Sequence, residues 1–187
     1  MQKIAIFASG NGSNAENIIK YFEKSPKIKI ELIISSNSIA KVLEKAKKHN
    51  ISTAIFTNLE LNNGELLNFL KLKKINFIVL AGFLLKIPKQ IIVAYPKQII
   101  NIHPSLLPLY GGKGMYGKNV HKKVLADKAR ETGITIHFIN ELYDDGAIIF
   151  QAKCSLDKNV KLKQIEKQVK VLEKKFFPII IEKILNE

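Results

Sequence analysis

Asn101, His103 and the prolines at 104 and 108 make up the stretch of this chain best equipped for chemistry, written Asn-Ile-His-Pro-Ser-Leu-Leu-Pro over residues 101–108. It closes an apolar run, residues 98–102, that reads as a buried strand, and the two prolines then force the chain out of the sheet. Alternate strand residues share a face, so Asn101 and His103 emerge side by side while Ile100 and Ile102 face the core. An amide N–H can bind a developing oxyanion and a nearby imidazole can move a proton near neutral pH, which together suit carbonyl chemistry. A hydrogen-bonded structural histidine fits the same pattern, and these eight residues alone do not separate the two.

A second candidate lies at residues 9–14, Ser-Gly-Asn-Gly-Ser-Asn, between a short apolar strand (3–8) and a helical pattern that begins near Ala15. Glycines allow close backbone approach, and free N–H groups at a helix start cradle phosphate. Ser13 and Glu16 also have capping-box spacing, which would occupy some of those N–H groups without a ligand.

The elements that must carry these residues alternate. Residues 29–35, 53–56 and 76–81 read as strands, and 40–49 and 65–73 as helices. That order gives an α/β fold: a Rossmann-like, mostly parallel twisted sheet with helices on both faces and ligands beyond the strands' carboxyl ends. Residues 109–117 hold four glycines and read as a mobile loop, a possible lid, followed by a helix over 118–130. Residues 133–139 and 147–155 form a C-terminal antiparallel pair around a carboxylate-rich turn, with Thr135 and His137 on one face. A buried histidine facing a hydroxyl is at least as readily structural as catalytic. Leu162, Ile165, Val169, Leu172 and Phe176 mark a last amphipathic helix that Pro178 should kink or end.

The 187 residues suit one domain spanning 1–187, with 47% apolar and 25% charged residues. No apolar run approaches the ~18 residues of a membrane span, and no secretory leader is evident, so a cytoplasmic protein without membrane partners is expected. One cysteine, Cys154, and four scattered histidines argue against a disulfide or a metal site. The net charge of +14 invites a nucleic-acid partner, but only Arg130 among 30 basic residues is arginine, and the lysines interleave with glutamates as on solvated helix faces. No nucleic acid is expected; the positive field instead speeds the encounter with small anions.

Together, the 9–14 turn, Leu-Ala-Gly-Phe at 80–83, the 101–108 segment and Asp144-Asp145-Gly146 resemble the phosphoribosylglycinamide formyltransferases of the folate-dependent formyltransferase superfamily across nearly the whole chain. The resemblance implies transfer of a formyl group from 10-formyltetrahydrofolate to the amine of phosphoribosylglycinamide in purine synthesis, through a tetrahedral intermediate and without a metal. It implies that Asn101 binds the formyl oxygen, that His103 assists proton transfer, and that Asp144 orients the histidine or accepts the amine proton. Gly12, Ser13 and Asn14 would hold the substrate phosphate, and Glu173 its ribose. Leu84, Leu85, Lys86 and Ile87, with Asn101, Asn140, Glu141 and Asp144, would line the folate site. Leu85 departs from the pattern, since many members carry Arg there, and Asp145 stands where Gly is commoner. The tRNA and water formyltransfer branches add domains that this length does not hold. Two further expectations are a cis Leu107–Pro108 bond and a monomer or homodimer.

Overall fold

Four consecutive apolar residues, Ile4 to Phe7, are all fully buried, which makes β1 (Gln2–Phe7) the centre of the first half of the chain. A computed structural model describes residues 1–186. Its contacts divide the chain into two compact units, the first Met1–Ile100 and the second beginning at Asn101.

In the first unit β1 pairs in parallel with β2 (Ile28–Ser35) and β4 (Phe77–Leu80), and β2 with β3 (Ser52–Ile55). Ile6 sits opposite both Ile33 and Val79, three side chains with no solvent exposure. The strand order is β3-β2-β1-β4, followed by β5 (Ile99–His103), the strand in which the two units meet along the chain. Flanking helices are α1 (Ser13–Phe22), α2 (Lys41–Lys48), α3 (Asn58–Asn62), α4 (Glu65–Leu72) and α5 (Lys89–Ala94). The reading of the sequence left out α3 and α5. The first begins at a complete capping box, Thr57 with Glu60, and the second directly after Pro88, both recognisable start signals for helices too short to show periodicity.

The second unit continues the order as β5-β6-β7, with β6 (Glu131–Phe138) and β7 (Ile148–Ser155) antiparallel. A Cβ on Gly133 would lie 1.9 Å from the Ala152 carbonyl oxygen, so this close approach admits only glycine. The register shifts between Ile136 and His137, an irregularity in the β6–β7 ladder. The helix expected over 118–130 stops early: α6 (Lys118–Ala126) is capped by Asp127, and Lys128 turns left-handed at φ 50°. The last helix, α7 (Leu162–Asn186), does not end at Pro178 but runs through it. The hydrogen bond a proline removes is offset here by Phe177, Pro178, Ile180 and Ile181, all buried.

Candidate active site

At the end of β5 only Asn101 is half-buried; Ile100, Ile102 and His103 are all buried, His103 with 3% exposure. The chain then leaves the sheet through a turn held by buried polar groups. The Thr135 hydroxyl donates to the Ser105 carbonyl (2.7 Å) and accepts from the Leu107 N–H (2.9 Å). Gln151 Nε2 donates both to Thr135 Oγ1 and to the Leu107 carbonyl, each at 2.9 Å. Ser105 Oγ donates to the Leu109 carbonyl (3.2 Å), and the Leu107–Pro108 bond is cis as expected. Thr135, which the sequence set on one face with His137, thus serves the turn.

The geometry fixes the tautomer of His103. Its Nε2 lies 2.8 Å from the Tyr110 carbonyl oxygen, an acceptor only, so Nε2 carries a hydrogen and donates. Nδ1 then faces Asp144 Oδ2 at 3.5 Å. A lone pair against a carboxylate is unfavourable, and a proton on Nδ1 turns the contact into a charge-assisted bond. Burial holds the His103 pKa below the usual imidazole range, against the Asp144 charge and the Tyr110 bond, which raise it. Asp144 is itself pinned: the Gly112 N–H donates to its Oδ2 at 3.0 Å. A Cβ on Gly111 would meet Leu107 Cδ2 at 2.6 Å and Asp144 Cβ at 3.2 Å. The glycine-rich loop therefore supplies two backbone groups, the Tyr110 carbonyl and the Gly112 N–H, that hold opposite sides of the His103–Asp144 pair.

His137 completes the cluster. It has no solvent exposure, and its Nδ1–H donates to the Phe138 carbonyl at 2.9 Å, which leaves Nε2 as a lone pair. Asn101 Nδ2 donates to that lone pair at 3.1 Å. The contact settles which way the Asn101 amide points and leaves its second Nδ2 hydrogen for another acceptor. Asp144 Oδ1 stands 3.7 Å from His137 Nε2. Burial is the largest influence on the His137 pKa and lowers it, in keeping with a neutral ring that accepts from Asn101. The structure thus brings Asn101, His103 and Asp144 together and adds His137, which the sequence offered as a buried histidine sharing a strand face with Thr135.

Asn140 braces that turn, donating to Asp145 Oδ2 (3.0 Å) and accepting from the Leu142 N–H (2.9 Å). Glu141 is exposed, and Glu173 is half-buried on α7. Gly12, Ser13 and Asn14 lie in the first unit, as do Leu84, Leu85, Lys86 and Ile87. Gly12 caps α1 in the left-handed region at φ 66°, where a Cβ would come within 2.5 Å of Val42. The capping box read at Ser13 and Glu16 does not form: α1 has no side-chain cap, because its cap is Gly12, and Glu16 instead pairs with Lys45 at 2.7 Å. Among the described residues the buried Asn14 Oδ1 has no hydrogen-bond partner, and half a turn of the amide presents Nδ2–H there, the donor an anion selects. Leu84 is exposed and Ile87 buried. Among the described residues no group of three or more His, Cys, Asp or Glu side chains is placed to hold a metal, and no helix is long and apolar enough to cross a membrane.

Known proteins share this arrangement of elements. A family model described as formyl transferase matches residues 2–181. Over 193 residues the chain is 36% identical to the chloroplastic phosphoribosylglycinamide formyltransferase of Arabidopsis thaliana, covering 100% of this chain and 66% of the relative. It is 34% identical to the phosphoribosylglycinamide formyltransferase of Bacillus subtilis (strain 168), covering 100% of this chain and 96% of that one. The crystal structure of phosphoribosylglycinamide formyltransferase from Bacillus halodurans superposes with a TM-score of 0.89 at 32% identity, over 100% of this chain and 96% of that chain. The chain spans just under two thirds of the plant relative's length and nearly all of the bacterial ones. With a family model matching nearly its whole length, the chain belongs to the formyl transferase family.

Proposed function

We propose that this protein transfers the formyl group of 10-formyltetrahydrofolate to the amine of phosphoribosylglycinamide, with residues 1–187 working as one catalytic domain. The observation that carries the reading is the cluster of Asn101, His103, His137 and Asp144, in which a donor amide and a proton-carrying pair stand together. Support for the acceptor comes from the relatives, which are phosphoribosylglycinamide formyltransferases in plants and bacteria.

The folate supplies the activated formyl carbon; the protein's own groups do the rest. The uncommitted Nδ2 hydrogen of Asn101 meets the formyl oxygen as negative charge develops on it in the tetrahedral intermediate, an interaction worth about 3 to 4 kcal/mol of barrier. The amine gains a bond to the formyl carbon and loses one proton, while the carbon–nitrogen bond to the folate breaks and that nitrogen gains one. Since Nε2 of His103 is committed to Tyr110, the proton passes by way of Nδ1 and the facing Asp144 carboxylate. Such assistance contributes roughly 100- to 10,000-fold.

Gly12, Ser13 and Asn14 hold the phosphate at the start of α1, which no side chain caps, and Glu173 binds the ribose. Leu84, Leu85, Lys86 and Ile87, with Asn140 and Glu141, line the pterin and its tail. No metal takes part. The test is formyl transfer from 10-formyltetrahydrofolate with phosphoribosylglycinamide, a free amine such as glycinamide, or water as acceptor. Rapid turnover confined to the phosphorylated acceptor is the expected outcome; equal turnover with water or with glycinamide would overturn it.

A further inference from the structure

We propose that Ser9 is a positioning residue that couples the glycine turn at 9–14 to the loop at 82–87, so that filling either one tightens the other. This rests on the assignment of those two segments to the phosphate and the pterin.

Ser9 holds the loop twice. Its N–H donates to the Gly82 carbonyl (3.0 Å), and its Oγ accepts the Leu84 N–H (3.3 Å). The same oxygen also shares a hydrogen bond with Ser36 Oγ, 3.1 Å away just past β2, a bond in which either hydroxyl can donate. The Phe83 ring packs edge-on against Phe7, the last residue of β1, with 5.3 Å between centroids. On its other side the turn is fixed by α2, where the Gly10 carbonyl accepts the Val42 N–H (3.2 Å) and Gly12 leaves no room for a Cβ against Val42.

The turn is therefore clamped between α2 and the 82–84 segment, and Ser9 is the residue common to turn and loop. Beyond Gly82, at φ 82°, the loop has no regular structure, and Leu84 is 55% exposed. A backbone in that state loses freedom when a ligand seats on it. A ligand in the glycine turn that restrains Ser9 prepays part of that loss for the loop, and a ligand on the loop does the same for the turn. By linkage the two effects are equal.

The experiment has two arms. Calorimetry measures the affinity for phosphoribosylglycinamide with and without saturating tetrahydrofolate, which carries no formyl group, in wild type, Ser9→Ala and Ser9→Thr. Hydrogen exchange follows segment 82–87 in the unliganded proteins. The expected result is that tetrahydrofolate raises wild-type affinity about fivefold or more, that Ser9→Thr keeps the effect, and that Ser9→Ala loses it. Exchange of segment 82–87 should be about tenfold faster in Ser9→Ala, with α2 unchanged. Undiminished coupling in Ser9→Ala, or unchanged exchange at Leu84, would overturn the proposal. A wild type that binds neither ligand would overturn the functional assignment and the coupling with it, while accelerated exchange in Ser9→Ala would still establish the mechanical tie.

Discussion

Replacing His137 by phenylalanine separates orientation of the Asn101 amide from its presence. The ring nearly fills the same buried space, so packing is retained, but two hydrogen bonds vanish: Asn101 Nδ2 loses its acceptor at 3.1 Å, and the Phe138 carbonyl loses its donor at 2.9 Å. Leaving those groups unpaired should lower stability by about 2 to 4 kcal/mol, read by chemical denaturation. On catalysis, complete loss of one oxyanion donor lowers kcat roughly 100- to 1,000-fold. An amide that is present but free to rotate keeps part of that, so His137→Phe is expected to lower kcat about 10- to 100-fold with little change in KM. The decisive comparison is the double variant with Asn101→Ala. If His137 acts through Asn101, the double variant should be no slower than Asn101→Ala alone. Effects that multiply would refute the argument and give His137 an independent role.

Other outcomes follow from the same geometry. Burial lowers the pKa of His103, His121 and His137, so their contribution to stability is fully present above about pH 6.5, the unfolded value, and is lost as pH falls from there through the lower folded-state values. Thermal unfolding should show a lower Tm at pH 5 than at pH 7.5, and His121→Leu, which removes a buried ring lacking an Nδ1 partner among the described residues, should flatten that dependence. Gly111→Ala pushes a Cβ to 2.6 Å from Leu107 Cδ2 and 3.2 Å from Asp144 Cβ; the shift of Asp144 should cut kcat about 100-fold in a protein that still folds by circular dichroism. Gly146→Ala meets backbone instead, at 1.8 Å from the Phe138 oxygen, and should appear as loss of soluble protein. With a net charge of +14, kcat/KM for anionic substrates should fall as salt rises from 0.01 to about 0.5 M, while kcat changes little.

Much of the site was legible because one strand carries it. The period of two on β5 fixes which residues face inward, and the prolines mark where the strand ends, so Asn101 and His103 follow from local rules. Asp144 and Asn101 are brought together by non-local pairing, and no local rule reports it; motif resemblance supplied that link. His137 was seen but assigned no function, because local alternation set it beside Thr135. Its hydrogen bond with Asn101 is a non-local contact that alternation along β6 does not report. In the fold, the long periodic helices were readable. The five- and six-residue helices α3 and α5 were not, since fewer than two turns carry no period. Pro178 shows the opposite limit, a strong local signal overridden by burial on both sides of it.

The central claim is that Asn101, His103 and Asp144 form the catalytic centre, and it is tested most directly by formyl transfer to phosphoribosylglycinamide in wild type, His103→Ala and Asp144→Asn, each confirmed to be folded. Activity in the wild type that falls by two orders of magnitude or more in both variants is the expected result. Wild-type rates in either variant would contradict the account and place the chemistry elsewhere in the chain.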